Sequence, residues 1–196
     1  MYNTNLNNYH LKPKNSTIYT PQAVSQFLFN LLAPLFPNTD SLIVDPGCGG
    51  YSLLAPWQKT GYHTLGIDND LTSLADDYND FLSLEQWIYR QPALILCNPP
   101  LNGMKPQLAP EVWLDKILEL FGSDTPIILF APIGLRVCNS YHGKRYQKFL
   151  NGEYPSISSI ITLPRTIFPN VEFHTEILIF NISNLQPHYF FQPQSE

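Results

Sequence analysis

Along this chain, short apolar runs alternate with longer stretches in which apolar and polar positions mix. The runs at residues 42–44, 63–67, 93–97, 126–131, 157–163 and 176–182 are rich in Leu, Ile and Val and predict strands. The stretches between them predict helices over 21–32, 52–60, 71–78, 110–121 and 141–150. Strands and helices that alternate in this way pack as a mostly parallel, doubly wound sheet covered on both faces, an α/β fold. The first helix has a legible start, since Thr20 can cap it and Pro21 suits the first helical position. It stops at Pro34 and Pro37. The last two strands, joined by the proline-bearing segment 164–174, can close the sheet as a C-terminal antiparallel pair. One domain over 17–184 is expected, with residues 1–16 as an Asn-rich extension and 185–196 as a tail. Tyr189, Phe190 and Phe191 either tie that tail down or leave it frayed.

Composition narrows the function classes. The chain has 196 residues, enough for one ordinary hydrophobic core, and carries a formal net charge of -5. A protein that coats nucleic acid by bulk electrostatics needs clustered Lys and Arg, so any nucleic-acid contact here must be local. Charged residues are only 14% of the chain, so its surface leans on Asn, Gln, Ser, Thr and Tyr. No run approaches the roughly 20 apolar residues of a membrane span, and no secretory leader is legible, so a cytoplasmic protein without membrane contact is expected. Cys48, Cys97 and Cys138 show no CxxC spacing and the histidines no i, i+4 pair, so no metal is expected. The segment from Arg136 to Lys148 is the one basic cluster, and it reads either as a phosphate contact or as a solvated helix face, with the latter favoured.

Three places on this pattern carry candidate chemistry. The run 42–44 enters the turn Asp45-Pro46-Gly47-Cys48-Gly49-Gly50, where glycines let backbone approach a ligand closely. Taken alone, the turn is equally a tight strand-to-helix connection. Asp68 ends the next strand, 23 positions after Asp45, at a spacing that suits an acceptor for the ribose hydroxyls of an adenosine-bearing cofactor. Asp70, next to it, reads better as a cap. Asn98-Pro99-Pro100-Leu101 follows the apolar run 93–97 directly, at a strand's C-terminal end where open α/β sheets bind ligands. The proline pair removes two donors and stiffens the chain, so the Asn98 carboxamide and adjoining carbonyls form a rigid set of acceptors.

The order Asp45-Pro46-Gly47-Cys48-Gly49, Asp68, Asp80-Phe81-Leu82 and Asn98-Pro99-Pro100 resembles the motifs of the S-adenosylmethionine-dependent N6-adenine DNA methyltransferases. Tyr19-Thr20-Pro21 upstream resembles the family motif that lines the methionine end of the cofactor. Segments 160–169 and 174–180 resemble its late motif, with Phe168 at the place of a base-stacking aromatic. The resemblance covers about Tyr19 to Ile182, in the gamma-type motif order, and implies a Rossmann-like methyltransferase fold. It implies S-adenosyl-L-methionine as cofactor, bound by Tyr19, Thr20, Asp45, Gly47, Gly49, Asp68, Asp80 and Phe81. In the family a flipped adenine donates its N6 hydrogens to the Asn side chain and the next carbonyl, which implies Asn98, Pro99, Pro100 and Phe168 as the catalytic set. DNA is the implied substrate, in a restriction-modification setting.

Two positions depart from the family pattern. Leu101 stands where an aromatic usually stacks on the base, and Tyr51 stands where the cofactor turn usually has another glycine, so that its side chain either points away from the pocket or partly fills it. A gamma-type enzyme also carries a recognition domain after the core, where only about a dozen residues follow Ile182 here, so a separate specificity or partner protein is expected. Two alternatives stay open: methylation of a glutamine side-chain amide in a protein, and a degenerate methyltransferase-fold subunit that binds without turnover.

Overall fold

The computed structural model describes residues 18–100, 107–137, 140–169 and 174–193. Seven strands form one sheet: β1 (Leu42–Asp45), β2 (His63–Gly66), β3 (Leu94–Cys97), β4 (Ile127–Pro132), β5 (Ile157–Thr162), β6 (Thr175–Phe180) and β7 (His188–Phe190). Their order is β2-β1-β3-β4-β6-β5-β7. The first four pair in parallel, β6 runs antiparallel between β4 and β5, and β7 lies parallel to β5. The predicted mostly parallel sheet with a C-terminal antiparallel pair is therefore present. All residues of β1 and β3 are buried, which is why they read as unbroken apolar runs and not as alternating ones.

Helices cover both faces. On one, α1 (Gln22–Leu32) and α2 (Ala55–Lys59) bring Val24, Leu28, Leu32 and Trp57 onto Ile43, Leu96, Ile128 and Ile177. On the other, α3 (Ala109–Phe121) brings Trp113, Leu114 and Ile117 onto Ile95, Leu129 and Leu178. A short α4 (Lys144–Leu150) returns the chain to β5. Because β2 lies on one side of β1 and β3 on the other, a crevice opens beyond the C-terminal ends of β1 and β3, where doubly wound folds bind ligands.

Two local expectations are corrected, and one left open is resolved. No helix forms over 71–78; the segment is a series of turns, with Leu71 and Leu74 exposed. Its backbone is claimed elsewhere: the Leu74 N–H donates to the Gly49 carbonyl, and the Asp76 and Asp77 N–H groups to the Gly66 carbonyl. Asp70 takes the Thr72 N–H and hydroxyl, the competition by short polar side chains that disfavours helix interiors. Thr20 does not cap α1, whose N-cap is Pro21 without a side-chain bond. The tail is tied down: β7 pairs with β5, and the Phe191 ring meets Phe27 edge-on at 5.4 Å.

Candidate active site

The turn after β1 is the floor of the crevice. Ile67 donates its N–H to the Asp45 carbonyl and Cys48 to the Ile67 carbonyl, so the ends of β1 and β2 hold the turn between them. Asp45 is 2% exposed, and its carboxylate accepts from the Gly47 N–H at 3.1 Å. Burial raises the Asp45 pKa from 3.8 to about 8, the Gly47 hydrogen bond opposing this and the nearby Asp68 charge adding to it. Asp68 accepts from the Gly49 N–H through Oδ2 at 2.8 Å and from the Asp70 N–H through Oδ1 at 2.9 Å. These bonds aim its carboxylate from the tip of β2, and each oxygen retains capacity for a further donor.

Glycine is required at this turn for space as well as conformation. Gly49 has φ +48°, and a Cβ there would come within 2.7 Å of the Tyr19 ring; one on Gly47 would come within 3.0 Å of the Trp113 indole. Tyr19, 48% exposed, lies against the glycine turn on one side and Trp113 on the other. Tyr51 also has a left-handed backbone, φ 64°, yet its side chain leaves the crevice. It packs against Gly66 and Cys48, and its hydroxyl donates to Asp76 at 2.7 Å and meets the Thr64 hydroxyl at 2.9 Å. Of the two orientations open to it, Tyr51 takes the one pointing away from the pocket.

Asn98 continues β3 into the crevice. Its Nδ2 donates to the buried Thr20 hydroxyl at 2.9 Å, a link across 78 residues. With its amide nitrogen tethered there, the Asn98 Oδ1 is turned to the opposite side and accepts from no donor among the described residues. Pro99 beside it is buried and Pro100 exposed. Leu101 lies outside the described residues.

The remaining expected residues are Asp80, Phe81 and Phe168. Asp80 is exposed and caps a 3-10 turn, Phe81–Ser83, accepting from the Leu82 N–H and the Ser83 hydroxyl. Phe81 is 2% exposed, stacked on Trp113 with centroids 5.5 Å apart and facing Phe121 beyond at 6.5 Å. On the Gly47 side of the turn the aromatic surface is therefore Trp113, with Phe81 behind it. Phe168 is likewise a core residue here, 5% exposed and packed edge-on against Phe130. Sequence reasoning missed Trp113 because Ala109, Trp113, Leu114 and Ile117 form an ordinary core stripe, and only its contact at Gly47 sets it apart.

The strand order, with the glycine turn at the switch point and an antiparallel strand next to the last parallel one, decides the fold. The chain has the fold of the class I methyltransferases. An inferred class I S-adenosylmethionine-dependent methyltransferase of Listeria monocytogenes superposes with a TM-score of 0.63 at 17% identity, over 88% of this chain and 64% of that one. The type I restriction-modification methyltransferase subunit of Streptococcus thermophilus gives 0.63 at 17% identity, over 88% of this chain and 47% of the subunit. An inferred RNA methyltransferase of Pyrococcus horikoshii gives 0.56 at 14% identity, over 90% and 92%. This chain thus spans less than two thirds of the first two. No family model and no curated protein matches it. Among the described residues no helix is long and apolar enough to cross a membrane, and no group of three or more His, Cys, Asp or Glu could hold a metal ion.

Proposed function

We propose that the chain is an S-adenosylmethionine-dependent methyltransferase acting on the N6 amine of adenine in DNA. The observation that carries this reading is the tether from Asn98 to Thr20, which turns one carboxamide oxygen into the crevice as an acceptor. A planar exocyclic amine is a poor nucleophile because its lone pair is delocalised. Asn98 Oδ1 and the Pro99 carbonyl would accept its two hydrogens, favouring a tetrahedral nitrogen and the positive charge that develops on it. No strong base is required for this, and none stands beside Asn98 among the groups described above.

The crevice suits the cofactor. Only glycine at positions 47 and 49 leaves room for the Trp113 and Tyr19 rings that flank the turn, and these rings would line the cofactor. Asp68 would hold the ribose hydroxyls and the Trp113 face the adenine, while Tyr19 would lie against the methionine end. When bound, S-adenosylmethionine supplies an electrophilic methyl group. Tyr51, anchored on Asp76, leaves this space clear, which favours turnover over the reading of a degenerate binding subunit. Among the folds it resembles, the type I restriction-modification subunit favours DNA and a separate partner over a glutamine amide.

The deciding measurement is transfer of labelled methyl from S-adenosylmethionine to DNA, RNA and protein pools side by side. Label is expected in DNA as N6-methyladenine. Asn98→Ala is expected to abolish transfer while cofactor affinity stays within about twofold, since Asn98 acts on the amine and not on the cofactor. Thr20→Val is expected to slow turnover at saturating cofactor. Near-normal turnover by Asn98→Ala would overturn the assignment.

A further inference from the structure

Glu176 lies at the start of β6, on the edge of the sheet that carries Asn98, and is 2% exposed. Burying a carboxylate costs several kcal/mol unless a well-placed cation offsets it. Here the cation is Arg136, whose Nε donates to Oε1 at 2.7 Å. The side chains are 3% exposed for the acid and 36% for the base, so the pair is rooted in the fold at one end and open to solvent at the other. The bond uses the inner nitrogen of the guanidinium. Both Nη groups remain, and the structure gives them no partner among the described residues.

Two other cations of the basic cluster are engaged differently. Arg145 pairs with Glu111 and donates to the Gly134 carbonyl, and Lys148 pairs with Asp115 and donates to the Tyr154 hydroxyl. Those two cations hold α4 against α3 and the end of β4. Arg136 alone of the three directs a fork of donors outward from a buried anchor. Its position is set by register: Cys97 stands beside Leu129, and Ala131 opposite Glu176. Glu176 is thus two strand spacings, about 10 Å, from the end of β3 where Asn98 begins.

We propose that Arg136, aimed by the buried Glu176, binds a backbone phosphate of the nucleic-acid strand that carries the target base. The inference rests on the reading of nucleic acid as substrate. A guanidinium fork matches two phosphate oxygens at once, and an arginine fixed through Nε loses less freedom on binding than one on a mobile side chain. In a chain of net charge -5, a single pre-oriented cation beside the site gives the local contact that bulk charge cannot.

The test is binding of a fluorescent single-stranded oligodeoxynucleotide over a range of salt concentrations, with melting temperatures measured in parallel. Arg136→Gln is expected to weaken binding roughly tenfold at low salt, the scale of one charge-assisted contact. It should also make the slope of log K against log salt shallower by about 0.7, the loss of one phosphate contact on a single strand. Arg136→Lys should restore the slope but not the whole affinity. Glu176→Gln should weaken binding and leave the slope unchanged, because the charge stays while its aim is lost. An unchanged slope for Arg136→Gln, whatever happens to its melting temperature, would make Arg136 a structural partner of Glu176 and overturn the proposal. If the unaltered protein binds no oligonucleotide, the nucleic-acid reading falls and this inference with it; if it binds and methylates DNA but Arg136→Gln does so equally, only the inference falls.

Discussion

Tyr51 shows how much one side chain's direction decides. From sequence it could fill the cofactor space or avoid it, and both options follow from the same non-glycine residue in a left-handed conformation. What resolves the choice is Asp76, a partner 25 positions away that no local pattern reveals. Phe168 illustrates the opposite outcome. Its place in a motif suggests base stacking, but it lies 5% exposed against Phe130, so Phe168→Ala is expected to leave a cavity and cost about 3 to 5 kcal/mol of stability. Denaturant unfolding checks this, and unchanged stability with a selective loss of turnover would return Phe168 to the site. Asp45 yields a pH dependence. Its folded-state pKa, about 8, lies above the ordinary 3.8, so the folded chain holds this proton more tightly than the unfolded one. The stability so contributed is fully present below about pH 4 and is lost as pH rises through about 8. Unfolding free energy should therefore fall across that range, and Asp45→Asn should flatten the fall.

Among elements, the sheet was the most legible part. Its strands are short runs of Leu, Ile and Val buried on both faces, and such runs need no partner information to be seen. The segment 71–78 misled for a physical reason. Leu71, Leu74, Ala75 and Tyr78 have helical spacing, but only Ala75 meets the core while the other three are exposed, and three backbone N–H groups find acceptors on Gly49 and Gly66 instead. Strand β7 was hidden because three residues, His188, Tyr189 and Phe190, carry too little periodicity to register. The folded-back segment gives a prediction at this scale. Tyr51→Phe removes the hydroxyl that Asp76 and Thr64 share and so loosens the segment on which Asp68 is mounted. We expect weaker binding of S-adenosylmethionine by about 1 kcal/mol or more, with turnover at saturating cofactor little changed; calorimetry and a saturation curve read the two separately.

At the scale of the whole molecule, the candidate site was legible in its glycine turn, Asp68 and Asn98, because each ends a strand at the same edge of the sheet. The contacts of Thr20 with Asn98, Trp113 with Gly47 and Arg136 with Glu176 were not, since each joins residues distant in sequence. Arg145 and Lys148 are engaged by carboxylates and the net charge is -5, so the chain offers little general attraction for a duplex. Single strands, in which no base pair must be opened, are therefore expected to be methylated faster than the same sequence as duplex, as initial rates on both will show. Neighbours Tyr19 and Thr20 touch the two halves of the crevice: one ring covers the glycine turn, and one hydroxyl holds the Asn98 amide. Whatever settles on the turn must move that ring, and the displacement passes along a single peptide bond to the group that aims Asn98. On the proposed reading the two substrates are not independent, and methyl transfer should follow a compulsory order in which the methyl donor enters first and its spent form leaves last.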